Sequence, residues 1–204
     1  MNNQEISGLV DGLVIQNIFD TIQGEGPWMG MPCTFIRIAG CVLRCSWCDT
    51  FYSSGQSMSV SEVLAAVRRK RVVITGGEPL RCGELGALIS QLIDQGCEVQ
   101  IETSGAVFHP SIDLSSCTVV CSPKTSRIHS RLIPLVDHWK YVLLYDEIDP
   151  VDGLPNKLFR GENNIWVGPC WNENYDLNLR GAITSCMSFG YRLNVQLHKW
   201  IGVD

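Results

Sequence analysis

The sequence predicts an α/β fold built on a mostly parallel sheet, open or closed into a barrel, and three observations predict it. Apolar, β-branched runs recur along the chain: TFIRIAG ending at Gly40, VVITGG at Gly77, EVQIETSG at Gly105, TVVCSPK at Lys124, WKYVLLY at Tyr145 and NIWVGP at Pro169, with YRLNVQLHK closing the chain. Helical patterns lie between several of them, namely SVSEVLAAVRRK with Ser59 or Ser61 as cap, and GELGALISQLIDQG stopping at Gly96. The runs show little alternation, as expected of strands covered on both faces and joined by helices.

Taken in order, each run ends at Gly, Pro, Ser or a charged cluster, so each is a strand with a defined stop. The segment from Asp146 to Asn164 carries Pro150, Pro155 and weak periodicity, and reads as a loop or irregular crossover. The chain has 204 residues, enough for one substantial core, and residues 1–204 are expected to form a single domain. With 45% hydrophobic and 18% charged residues it is globular in composition.

The net charge of -5 argues against a nucleic-acid backbone as partner, since phosphates are neutralised by clustered Lys and Arg. The basic run from Arg68 to Arg71 reads as the solvated end of a helix. No apolar stretch approaches the length of a membrane span, and MNNQEISGLVDG lacks the regions of a signal peptide. A cytoplasmic protein without membrane partners is expected. Ten cysteines, three of them within eight residues, suit reduced thiols and a metal site better than a disulfide framework.

In parallel α/β architectures the ligand sits beyond the carboxyl ends of the strands. Those ends carry the unusual chemistry here: CVLRCSWCDT, GGEP, ETSG and SPK. The spacing of Cys41, Cys45 and Cys48 puts three thiolates in one loop, enough for three irons of a [4Fe-4S] cluster with the fourth iron left open. A structural zinc site is the alternative, but it wants four ligands, and Cys33 and His109 are the remaining candidates for the fourth. The other seven cysteines, Cys33, Cys82, Cys97, Cys117, Cys121, Cys170 and Cys186, read as buried free thiols.

CxxxCxxC with Trp47 before the last cysteine, followed by GGEP, resembles the radical S-adenosylmethionine superfamily. The wider set FDTIQGEG, FIRIAGCVLRCSWCDT, VVITGGEP, QIETSG, SPK and QLHKWIGVD, spanning Phe19 to Asp204, is similar to the 7-carboxy-7-deazaguanine synthase family. That resemblance implies a partial (incomplete) parallel β/α barrel with about six core strands and reduced helices. It implies conversion of 6-carboxy-5,6,7,8-tetrahydropterin to 7-carboxy-7-deazaguanine with loss of ammonia, in queuosine and 7-deazapurine biosynthesis. The implied cofactors are a [4Fe-4S] cluster, S-adenosyl-L-methionine and Mg2+, and the implied partners are an external one-electron donor such as flavodoxin and a second copy in a homodimer.

By the same resemblance Trp47, Gly76, Gly77, Glu78, Glu102, Gly105, Ser122, Pro123, Lys124 and Pro169 contact S-adenosylmethionine, and Thr50 offers a hydroxyl to Mg2+. Ile22, Gln23, Gly24, Glu25, Arg37, Thr103, Gln196, His198 and Asp204 contact the pterin. The residues also carry their own reasons. Gln23 and Glu25 suit the edge of a flat heterocycle, or else a polar turn. Arg37, inside an apolar run, needs a carboxylate, either the substrate's or a buried acid such as Glu25. Gln196 and His198 would alternate on a strand and share a face. Gly168 before Pro169 stands where many relatives have Gln.

Overall fold

The computed structural model describes residues 9, 12–48, 50 and 54–203. Among these, nine strands form one sheet in the order β3-β1-β2-β4-β5-β6-β7-β8-β9. The strands are β1 (Leu13–Ile22), β2 (Pro32–Ile38), β3 (Gln56–Met58), β4 (Arg71–Gly76), β5 (Glu98–Thr103), β6 (Thr118–Cys121), β7 (His138–Leu143), β8 (Ile165–Pro169) and β9 (Arg192–Leu193). From β2 to β9 every pairing is parallel. β1 pairs antiparallel with both β2 and β3 and caps that end of the sheet.

Helical cover is thin, as expected. α1 (Val60–Ala66) and α2 (Leu85–Asp94) precede β4 and β5, α3 (Tyr175–Phe189) precedes β9, and α4 (Leu197–Ile201) follows it. Ser59 caps α1 in a capping box with Glu62, and α2 is followed by Gly96 at φ 78°. α1 ends at Ala66, so the basic run extends past the helix and Arg71 opens β4, where it pairs with Glu98.

Strand period explains how the polar groups are sorted. Ile36, Ile74, Ile101 and Val119 are register partners across β2, β4, β5 and β6, and all four are fully buried in the core that also takes Leu85, Leu88 and Leu92 of α2. The residues one step along, Arg37, Thr75, Glu102 and, on β7, Lys140, face the other way into a cavity. The runs therefore do alternate: Arg37, Thr75, Glu102 and Lys140 occupy one face, interrupted by apolar Phe35 and Val73. A second core of Trp139, Tyr141, Leu143, Leu154, Val167 and Ala182 lies under α3.

At the chain's end the structure departs from expectation. Only Arg192 and Leu193 pair with β8; Gln196 then turns into α4 with φ 54° and ψ 59°, so Gln196 and His198 do not alternate on a strand. The reason is local hydrogen bonding. Asn194 N–H donates to Val167 O, the Asn194 side chain accepts from Gly26 N–H, and Leu197 N–H donates to Gly24 O. The chain is thus drawn off the sheet edge and onto the turn between β1 and β2. Cys33, expected before the strand, lies buried inside β2, and Cys97, Cys117 and Cys186 are half-buried instead of buried. No helix among the described residues is long and apolar enough to cross a membrane.

Candidate active site

The carboxyl ends of the parallel strands open onto a cavity of about 500 Å³. Its walls include Ile22, Gln23, Gly24 and Glu25 from the β1–β2 turn, Arg37 from β2, and Cys45, Trp47, Cys48 and Thr50 from the following loop. Gly76, Gly77, Glu102, Thr103, Ser122 and Lys124 come from the ends of β4, β5 and β6, and Gln196 and His198 from the start of α4. Positions as far apart in the chain as Ile22 and His198 thus meet in one basin.

The β1–β2 turn is what joins the two ends of the sheet. Gly24 is needed for it: a Cβ there would lie 1.9 Å from His198 Nδ1 and 2.7 Å from His198 N, so any larger residue would push α4 away. Gln23 is buried and donates to Glu102 Oε1 at 3.4 Å, while its own Oε1 accepts from Glu25 N–H. Gln196 Oε1 is buried with no protein partner among the described residues, and its backbone is left-handed, a conformation that costs a non-glycine residue.

Charge in the basin is paired across strands. Lys140 Nζ bridges Glu25 Oε2 and, at 2.6 Å, Glu102 Oε2. Burial alone would raise the Glu25 carboxyl, but the Lys140 charge and hydrogen bond, with Gln196 and His198, more than offset it and hold the group at about 2. Glu102 shares the same ammonium and is pushed up, by burial first and by the Glu25 charge. Lys140 itself is held up by the two carboxylates against the opposing effect of its burial. Glu25 is therefore engaged by Lys140, and Arg37 takes other contacts: Nη1 donates to Thr50 Oγ1 at 3.4 Å, and the guanidinium lies 6.0 Å from the Phe19 ring centre.

Lys124 reaches back to Ser122 O at 3.0 Å and lies 5.1 Å from the centre of the Trp47 ring. Its burial, and the charge of Lys140, lower its pKa. Glu78 sits one layer below the cavity wall, fully buried, where Oε1 accepts from Leu80 N–H and Thr103 Oγ1–H and Oε2 accepts from Ser104 N–H. It ties the ends of β4 and β5 together from beneath. Cys41, Gly105, Pro123 and Pro169 also lie outside the cavity lining, and Asp204 lies outside the described residues.

The three thiols stand on one irregular loop after β2. Leu43 N–H points at Cys41 Sγ, at 3.4 Å, and Cys48 N–H donates to Cys45 O. Burial raises Cys41 and Cys45, so as free thiols they keep their protons, which a bound metal would displace. The donor chemistry suits an iron-sulfur cluster: three soft ligands within eight residues, two of them on the cavity rim. Among the described residues no three His, Cys, Asp or Glu side chains converge as they stand. His109, a candidate fourth zinc ligand, instead packs at Gly83 and bonds Ser111.

Lys140 is the buried, ion-paired residue of this cavity that reading the sequence missed. Its signal was present, because a lysine inside HWKYVL has the same cost of burial that marked Arg37.

A parallel sheet with thin helical cover, a three-cysteine loop after its first parallel strand and a polar basin across its strand ends defines a partial β/α barrel of the radical S-adenosylmethionine type. The chain belongs to the 7-carboxy-7-deazaguanine synthase family. It is 41% identical to the 7-carboxy-7-deazaguanine synthase of Rhodospirillum rubrum, over 93% of this chain and 92% of the relative. It is 42% identical to the enzyme of that name from Thermoplasma acidophilum, over 94% and 98%. The crystal structure of QueE from Escherichia coli superposes with a TM-score of 0.73 at 27% identity, covering 92% of this chain and 95% of that one. No protein-family model matches the chain.

Proposed function

We propose that the chain is a radical S-adenosylmethionine enzyme that converts 6-carboxy-5,6,7,8-tetrahydropterin to 7-carboxy-7-deazaguanine, with ring contraction and loss of ammonia, in queuosine and 7-deazapurine biosynthesis. The observation that carries this is the meeting of the β1–β2 turn, Arg37 and the start of α4 with the cysteine loop in one basin. The names of the relatives support the same reaction.

Cys41, Cys45 and Cys48 would hold a [4Fe-4S] cluster, and Trp47, Gly76, Gly77, Ser122 and Lys124 would line the place of S-adenosylmethionine beside it. Glu78, Gly105, Pro123 and Pro169 would shape that place from behind, while Glu102 faces it from the cavity wall. Together, when bound, the cluster and S-adenosylmethionine supply a carbon-centred radical able to take hydrogen from the substrate.

The chain's own residues do the orienting. A carboxypterin carries an N–H-rich aminopyrimidinone edge at one end and a carboxylate at the other. The ionised Glu25, with Gln23 and the orphaned Gln196 Oε1, suits the first end. Arg37 suits the second, and Thr50 beside it could share a carboxylate-bound Mg2+. Ile22, Gly24, Thr103, His198 and Asp204 complete the proposed set. Holding both ends fixes which carbon of the ring faces the radical, which is the protein's largest contribution to such a reaction. A cytoplasmic homodimer reduced by a flavodoxin-like donor, acting as a single domain without nucleic-acid or membrane partners, fits this reading.

The test is anaerobic turnover. Cluster-reconstituted protein given the carboxypterin, S-adenosylmethionine, reductant and Mg2+ should form a product with the mass and absorbance of 7-carboxy-7-deazaguanine. Cleavage of S-adenosylmethionine without that product would contradict the assignment.

A further inference from the structure

Lys140 stands in the middle of β7 with its side chain 10% exposed, and none of the strand-end motifs includes it. Burying an ammonium is costly, and a hydrophobic residue would pack there more cheaply, so its presence asks for a task. Its contacts indicate one. The ammonium spans from the β1–β2 turn to β5, bonding Glu25 Oε2 and Glu102 Oε2, and Glu102 Oε1 in turn accepts from Gln100 at 2.8 Å and from Gln23 at 3.4 Å. Gln23 and Glu25 belong to a turn held otherwise by backbone bonds to Met31 and Leu197 and by Gly26 N–H donating to Asn194 Oδ1, none of which orients the Glu25 carboxylate; beside Lys140, the Gln196 side chain hydrogen-bonds that carboxylate.

We infer that Lys140 is a positioning residue for substrate recognition: its ion pair holds Glu25 as an oriented carboxylate that accepts the N–H donors of an aminopyrimidinone edge. This rests on the proposed function and goes beyond it by assigning a residue outside the substrate contacts. The chemistry requires the charge. A carboxylate presents acceptors only, whereas a protonated acid turns one oxygen into a donor and faces the N–H edge with a mismatch. Bonds to an ionised acceptor are also roughly twice as strong. With Lys140 gone, burial and the Glu102 charge both favour the protonated Glu25, against which His198 and Lys199 of α4, Lys124 beyond β6 and Arg37 of β2 are the basic side chains left around the cavity.

Equilibrium dialysis of reconstituted protein against 6-carboxypterin, with S-adenosylmethionine present, tests this without relying on turnover. We compare wild type with Lys140→Met from pH 6 to 8.5, and the ratio of their dissociation constants reads what Lys140 contributes through Glu25. The ratio should be about tenfold or more at pH 6 and fall several-fold by pH 8.5, because a carboxyl with a raised pKa regains its charge by up to about a factor of ten per pH unit. Because the single variant leaves two buried carboxylates opposed, Lys140→Met/Glu102→Gln is measured alongside and should show the same trend. Glu25→Gln should bind weakly at every pH, with a ratio that does not move. A ratio for the Lys140 variants that stays near one, or is constant with pH as a merely structural loss would be, overturns the inference. Failure of the wild type to bind the pterin at all would overturn the functional reading.

Discussion

Replacing Cys45 with alanine is expected to abolish both deazaguanine formation and the brown colour of the reconstituted protein, while leaving the fold intact. Cys45 lies in an irregular loop between β2 and β3 and contributes to neither strand pairing nor either apolar core. Its loss therefore removes a proposed ligand and little packing. A cluster that already relies on three protein thiols has no replacement: His109 is engaged at Gly83, and Cys33 is buried within β2. Two thiols cannot hold three irons. Iron content should fall to background, turnover should fall below detection, and circular dichroism should match wild type. Cys97→Ala, altering a half-buried thiol after α2 remote from the cavity, should keep iron and activity. If Cys45→Ala kept its colour, the loop would not be the cluster site.

Gly77→Ala is expected to be nearly as damaging by a different route. A Cβ on Gly77 would lie 2.2 Å from Gly40 O, 2.5 Å from Gly40 C and 2.8 Å from Cys41 Cβ. These are backbone atoms and the root of a ligand, not the far end of a flexible side chain, so the loop itself would have to move. That junction is also where the cysteine loop is tied down, by Gly77 N–H to Ile38 O at 3.0 Å and Glu78 N–H to Gly40 O at 2.9 Å. Overpacking of this kind costs about 1–3 kcal/mol. The thermal midpoint should drop by several degrees and iron should bind below stoichiometry, measured by calorimetry and metal analysis on the same sample. Full iron occupancy with an unchanged midpoint would show that the loop is not braced by β4.

This second case shows what reading the residues alone could and could not reach. Glycine at Gly76 and Gly77 reads as room for a ligand to approach, and the structure adds a nearer reason, the approach of β4 to the first turn of the cysteine loop. Glu78 is similar. Its place within GGEP marks it for the site, but only the fold shows its carboxylate wholly engaged under the wall.

The parallel core from β2 to β8 was legible because each of its strands is a short apolar run with a sharp stop. β1 was not: its register shifts between Ile15 and Asn17, and Gln16 and Asn17 turn toward the cavity, so no simple period survives. The tail was misread as a continuous strand since its alternation is real for Arg192 and Leu193, but Asn194 and Leu197 then bond to Gly26 and Gly24 at the far side of the sheet. Gly168, which stood out as a departure from relatives, serves that same tail. A Cβ there would meet Asn194 O at 2.1 Å. Lys140 was missed although the argument applied to Arg37 reaches it directly: an ammonium in an apolar strand needs carboxylate partners, and Glu25 and Glu102 are those partners.

The cysteine loop and the β1–β2 turn are expected to serve one basin and one reaction. Turnover with substrate carrying deuterium at C6 tests it most directly, because hydrogen can pass from pterin to the adenosyl group only if both lie in that basin. The expected result is 7-carboxy-7-deazaguanine as product, with deuterium recovered in S-adenosylmethionine or its 5'-deoxyadenosyl fragment. Product formed with no deuterium in the adenosyl group, or deuterium lost to solvent in the absence of S-adenosylmethionine, would contradict it.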